Sequence, residues 1–292
     1  MSFKIEIDWF RHALSCRNVV PRDERRNHIT DVKDPQITNR GVDQAEQTKM
    51  CLGASRLTYD LVCASVLTRA VETATVIWGD TYPIHVIPFV NEEVHWGRES
   101  EVPSLKVLHK NLETFKKKNK VKGRIDTSWV DPKSKAYKKM WKGSPWEDGS
   151  LTSKEPSASL FYAHVLPAIV KYLVRKHVLP HLSQSSSTFR IAIVSHGGFM
   201  GRNLQVTKLS RPLRSIISCG GKVKSMAQFV QNTSGWRETL KVDKKKGHQK
   251  LKRLSVKPYY LPNPRFGVYG LPLEKKSISN CPCSVQKAVF RK

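Results

Sequence analysis

The run Phe189–Ser195, FRIAIVS, constrains this 292-residue chain more than any other segment. It is too short for a helix and rich in β-branched residues, as a strand buried on both faces requires. Such a strand needs helices above and below it. The N-terminal third supplies that alternation. Lys4–Phe10 places Ile5, Ile7 and Trp9 at alternate positions, and Asp60–Ser65 (DLVCAS) is another short apolar run. Gly41–Leu52 and Thr68–Trp78 read as helices, and His85–Phe89 as a further strand. Strands separated by helical stretches predict parallel crossovers, hence a three-layer α/β/α sandwich with a mostly parallel central sheet.

Charge divides the chain. Lys and Arg number 51 against 24 Asp and Glu, a net +27. Residues 1–103 are slightly acidic, at −3, whereas residues 104–142 carry +10 and residues 241–292 carry +12. The excess therefore belongs mainly to an insert and a tail. With 39% hydrophobic and 26% charged residues, the composition excludes a wholly disordered or collagen-like chain. No apolar run reaches the roughly 18 residues of a membrane span. The start, MSFKIEIDWF, lacks a long apolar core and does not read as a secretory signal. Six cysteines without regular spacing predict reduced thiols, so the expected location is intracellular, in cytoplasm or nucleus.

Residues 1–242 are expected to form one domain interrupted by the Lys-rich insert, Ser104–Lys142, which is expected to hold at most one helix and then a flexible stretch. The insert follows the Glu93 segment and is therefore expected near the mouth of the site. Ser157–His177 reads as a helix, with Leu160, Phe161, His164, Val165, Ile169, Tyr172 and Leu173 forming an apolar stripe. Ser225–Val230 and Trp236–Val242 are predicted to close an antiparallel pair. Residues 243–292, with the basic run Lys244–Arg253 and the Pro/Tyr stretch that follows, are expected to be largely irregular.

Three predicted strands end on groups suited to phosphate. The first runs into Arg11–His12, the second into Ser65 and then Arg69, and FRIAIVS runs into His196–Gly197–Gly198. Ligands of open α/β sheets bind outside the carboxyl ends of strands, so these points should converge. Two guanidinium groups could hold phosphoryl oxygens in bidentate forks, and a neutral imidazole could attack phosphorus.

The same residues resemble a known family. RHALSCRN (Arg11–Asn18) is similar to the RHG-x-S-x-x-N signature of the histidine phosphatase superfamily, the phosphoglycerate mutase-like enzymes. DPQITNRGVDQA (Asp34–Ala45), SVLTRAVETA (Ser65–Ala74), NEEVHWG (Asn91–Gly97) and VSHGGFMGRNL (Val194–Leu204) resemble its further motifs, in order. The resemblance implies that His12 is the nucleophile and becomes phosphohistidine. It implies that Arg11, Asn18, Arg69 and His196 hold the phosphoryl group, His196 also serving catalysis. Glu93, four residues before Gly97, would be the general acid and base, with Glu92 as the alternative. No cofactor and no metal are implied. Ala13 stands where the family has glycine. The segment after Asn18 lacks the mutases' F-x-G-W-x-D pattern, which favours a phosphatase over a mutase.

The partner expected is therefore a phosphorylated, even polyanionic, substrate. The alternative is a weakly catalytic scaffold that binds nucleic acid or an acidic protein through its Lys-rich segments. Three weaker signals compete with bland readings. His177 and His181 have the spacing of zinc ligands but lack a third, and Cys281 with Cys283 lacks a partner pair. Asn232-Thr-Ser fits a glycan acceptor, but only in a secreted chain.

Overall fold

A computed structural model describes residues 2–20, 32–92, 100–144, 158–175, 188–204, 217–218, 232–245, 248–261 and 274–290. Its strands form one eight-stranded sheet. They are β1 (Ser2–Arg11), β2 (Leu61–Ser65), β3 (Ile84–Ile87), β4 (Ile125–Asp126), β5 (Thr188–Ser195), β6 (Ile217–Ser218), β7 (Gly235–Lys245) and β8 (His248–Leu261). The order is β4-β3-β2-β5-β1-β7-β8-β6. From β4 to β1 every neighbour is parallel, while β7 runs antiparallel to both β1 and β8. FRIAIVS is therefore the central strand, flanked by β1 and β2, and its apolar residues Ile191–Val194 are fully buried.

Alternation along the strands divides the interior into two cores. Ile5, Ile7 and Trp9 face one side with Phe161, Val165, Ile169 and Leu173, the helical stripe anticipated from sequence. That stripe runs continuously through α5 (Ala158–Leu160), a π-helical segment (Phe161–Val165) and α6 (Leu166–Leu173). Phe10, Val62, Ala64 and Val194 face the other side, against α1 (Asn39–Ala54) and α2 (Thr68–Trp78). The architecture is the three-layer, mostly parallel α/β sandwich that the sequence predicts.

The basic insert is more structured than expected. Helix α3 (Leu105–Asn119) buries Leu108, Leu112 and Phe115, an i, i+4, i+7 stripe masked in sequence by intervening lysines. The chain then pairs as β4 with β3 and forms α4 (Lys135–Met140), whose Tyr137 is buried beside Trp129 and Trp141. Three aromatic rings suffice to fix a stretch that its lysine content made look flexible.

The tail likewise departs from the irregular reading. Strand β7 pairs with β1 and with β8, an edge-extending hairpin; Ser225–Val230, its expected partner, lies outside the described residues. Lys244–Lys245 and His248–Arg253 of the basic run lie in these two strands. Farther on, a 3-10 turn (Lys275–Ile278) and α8 (Cys283–Phe290) bring Ile278, Cys281 and Val285 onto Leu14, Cys16, Val19 and Val20.

Cysteine pairing corrects another expectation. Cys16 and Cys281 form a disulfide, Cys51 is bonded to a sulfur outside the described side chains, and Cys63 is a buried free thiol. The thiol argument for an intracellular chain falls with this pairing. Cys281 is also removed as a metal ligand. Among the described residues no helix is long and apolar enough to cross a membrane.

Candidate active site

The carboxyl ends of β1, β2 and β5 meet. Backbone pairing continues past the strands, with His12 N donating to Ser195 O at 2.9 Å, so Arg11–His12 and Ser195–His196 emerge side by side. The rings of His12 and His196 lie 5.0 Å apart between centroids, and both are buried. Arg69, from the first turn of α2, donates Nε to His12 Nε2 at 3.3 Å. Ser65, the last residue of β2, meets His196 Nε2 at 2.9 Å. Arg11 lies against Gly197, where a Cβ would come within 3.2 Å of Nε; glycine makes room for the guanidinium.

The His12 ring is oriented by its own backbone. Nδ1 lies 2.7 Å from the Ala13 carbonyl, an acceptor, so Nδ1 carries the proton and Nε2 keeps its lone pair. Burial, then the charges of Arg69 and Arg11, hold this histidine well below its ordinary range. His196 is lowered too, by burial first and then by Arg69, His12 and Arg11. His12 is therefore a neutral imidazole flanked by guanidinium cations.

Ala13, the departure from the family glycine, is accommodated. Its side chain is fully buried among the α1–α2 core residues. Its N–H donates to Thr73 Oγ1 at 3.0 Å. The loop that follows is held equally firmly: Leu14 N donates to Gln44 Oε1 at 2.8 Å, and Thr38 N donates to Leu14 O, also at 2.8 Å. Asn18 Oδ1 accepts from the Ser15 backbone and hydroxyl and from Asn232 Nδ2.

Glu92 reaches this cluster. Its Oε1 accepts from Gly198 N at 2.7 Å, and one carboxylate oxygen lies within 4.8 Å of a ring nitrogen of both His12 and His196. Glu93 lies outside the described residues, as do His177 and His181. The His12, Glu92 and His196 grouping could ligate a metal by distance alone. Two adjacent guanidinium groups oppose a dication there and favour an anion.

Several residues of the quoted motifs have supporting roles that spacing did not disclose. Asp34 accepts from the Thr68 backbone and hydroxyl, capping α2 from a distant loop where Leu67 offers no side-chain cap. Burial raises its carboxyl to about 6. Glu72, raised well above its usual range by burial, accepts from Ile37 N at 2.7 Å. Gly41 packs directly on the Leu14 carbonyl.

Asn232 was legible only as part of a glycan acceptor, and that reading is excluded by burial. Its Nδ2 donates to His12 O at 2.8 Å, while Thr233 N donates to Arg11 O and Arg11 N to Ser234 O. The turn before β7 thus clamps both ends of the Arg11–His12 pair.

The motif order resembles that of the histidine phosphatase superfamily, and the sheet topology is that of a mostly parallel α/β sandwich. No family model matches the chain. The 2,3-bisphosphoglycerate-dependent phosphoglycerate mutase of Actinobacillus pleuropneumoniae is 27% identical over 96 residues, which cover 32% of this chain and 40% of the mutase. The chain thus spans about 40% of the length of the curated relatives it matches. Among solved structures, mycobacterial hydrolase 2 aligns over 91% of this chain and 96% of its own, at 14% identity and a TM-score of 0.44. The ecdysone phosphate phosphatase of Bombix mori aligns over 86% and 92%, at 11% identity and a TM-score of 0.39.

Proposed function

We propose that the protein hydrolyses phosphate monoesters through a phosphohistidine at His12. The observation that carries this reading is the His12 ring itself: buried, proton on Nδ1, Nε2 lone pair facing Arg69, and neutral by virtue of its surroundings. In the first step Nε2 attacks phosphorus in line, the P–O bond to the alcohol breaks, and a carboxylic acid protonates the leaving oxygen. Arg11, Arg69 and His196 stabilise charge on the equatorial oxygens, with the Asn18 side-chain amide assisting. Water then attacks phosphorus, the carboxylate takes its proton, and the P–N bond breaks to return neutral His12 and inorganic phosphate.

The acid comes from the Glu92–Glu93 pair. Glu93 matches the family spacing, whereas Glu92 has the described geometry, and we assign the role to Glu92. Phosphatase rather than mutase chemistry is favoured because the chain lacks the mutases' segment after Asn18.

The test is phosphoenzyme trapping with a labelled aryl phosphate, quenched in alkali to preserve a phosphoramidate. Label should attach to the wild type and vanish in His12→Ala, with turnover down at least 1,000-fold. Glu92→Gln should lower turnover by roughly 100-fold or more, and Glu93→Gln by much less. The reverse order returns the acid to Glu93. A chain that neither labels nor turns over any of a panel of esters would be a scaffold instead.

A further inference from the structure

Parts of both basic segments lie away from the active site: the sheet carries the end of α3 and the β7–β8 hairpin to its opposite end. Strands β1, β2, β3 and β5 are parallel, so their amino ends share one pole and their carboxyl ends, with His12 and His196, share the other. Helix α3 runs back from the catalytic end, and its last turn leads to Lys120 and Lys122 at the amino end of β3. There Ile84 N donates to Arg124 O at 2.9 Å, and Gly79 packs on the Lys122 carbonyl. On the other flank β7 runs down antiparallel to β1, pairing Asp243 with Ser2, so its hairpin with β8 turns at the same pole.

Only part of the insert remains beside the catalytic end. Trp141, just after α4, packs edge-on to Phe89, past the carboxyl end of β3, at 6.5 Å between centroids. The expected location of the whole insert at the mouth is therefore corrected: α4 lies on that side, and the Lys116–Arg124 cluster does not.

Two features of this pole point to a polyanion. Lys117, Lys118, Lys120, Lys122 and Arg124 are all exposed within eight residues, beside a cleft of about 380 Å³ that Lys116, His109 and Arg124 help to line. Across the sheet, Lys4 on β1 pairs with Lys241 on β7, and Lys241 with Lys252 on β8, a row of three like charges in direct register. Directly opposed like charges destabilise a sheet unless a counter-charge lies over them. Asp243 supplies one, 3.3 Å from Lys241, which leaves three lysines to a single paired acid among the described residues. Glu113 and Asp80 are engaged with Lys116 and Lys49.

We propose that this pole is a docking surface for nucleic acid, engaged through the phosphate backbone without sequence readout. From β4 to β7 the sheet spans five strand spacings, about 24 Å, so the two lysine groups match a long, evenly charged rod better than a short acidic peptide. Met50 is the one exposed large apolar side chain on the neighbouring last turns of α1, too little to seat the pole in acyl chains. Anchoring and catalysis are then spatially separate, so a bound polynucleotide leaves the phosphatase site open.

Fluorescence anisotropy with a labelled 30-base-pair DNA duplex tests this on the full chain. Binding should weaken steeply with salt and persist in His12→Ala and in saturating inorganic phosphate. Lys117→Gln/Lys118→Gln/Lys120→Gln/Lys122→Gln and, separately, Lys4→Gln/Lys252→Gln should each weaken it at least 10-fold while leaving aryl phosphate turnover unchanged. If a quadruple variant misfolds, single Lys120→Glu and Lys122→Glu variants replace it, each expected to lose about threefold. The proposal is overturned if the variants bind as the wild type, if phosphate displaces the duplex, or if polyglutamate or phosphatidylserine vesicles bind as tightly as DNA.

Discussion

Asp34 illustrates how a single buried carboxyl can serve the site without touching substrate. It lies among Thr68 donors with Arg69 nearby, and burial dominates, raising it from 3.8 to about 6. A raised carboxyl binds its proton more tightly in the native than in the unfolded chain. Its contribution to stability is therefore fullest below pH 4 and is lost as pH rises through 6. Asp34→Asn keeps an acceptor for Thr68 N and offers a donor to Thr68 Oγ1. The stability of this variant relative to wild type, from urea unfolding, should improve by roughly 2–3 kcal/mol between pH 4 and pH 7. A difference that is flat with pH would refute the assignment. At this scale the sequence named Arg11, His12, Arg69 and His196 because chemistry restricts those types. It did not reveal Asn232, whose importance lies in a backbone carbonyl it supports, 220 residues away.

At the scale of elements, the loop after His12 is held because α1 approaches it closely. A Cβ on Gly41 would stand 2.3 Å from the Leu14 carbonyl oxygen, a backbone atom that cannot step aside alone. Gly41→Ala should cost about 1–3 kcal/mol and disturb turnover by shifting residues 12–18. Gly53→Ala, in the same helix with open space around it, should instead stabilise by up to about 1 kcal/mol. Equal effects of the two substitutions in chemical denaturation would show that the contact is not limiting. Helices with compact apolar patterns, such as Thr68–Trp78, were readable to the residue. Helix α3 was only partly readable, because lysines on its solvated face hid the Leu108, Leu112 and Phe115 stripe.

For the whole molecule, β1, β2, β3 and β5 were legible because each is a short apolar run, whereas the two-residue β4, inside the lysine-rich insert, was not. Of the closing half β7 was legible and β8 was not: β8 is polar and lysine-rich, and it is held by its hairpin register with β7 rather than by a hydrophobic signature of its own. Nor can one-dimensional spacing announce a Cys16–Cys281 bond across 265 residues. That bond, with Gln36 Nε2 donating to Asn280 O and Asn280 Nδ2 to Ile37 O, ties the tail to the loop beside His12. Cys281→Ser should lower stability by about 2–4 kcal/mol. Hydrogen exchange should quicken first over residues 274–290 and 14–20. Exchange confined to the tail, with the His12 loop unchanged, would show that the loop stands without it.

The same bond has a mechanical consequence. It closes residues 16–281 into a covalent ring that contains every described strand except β1. A motor that draws this ring through a narrow pore cannot take it as a single thread; at the bond it must admit two lengths of polypeptide side by side. Until a reductant opens the ring, its residues cannot pass one at a time.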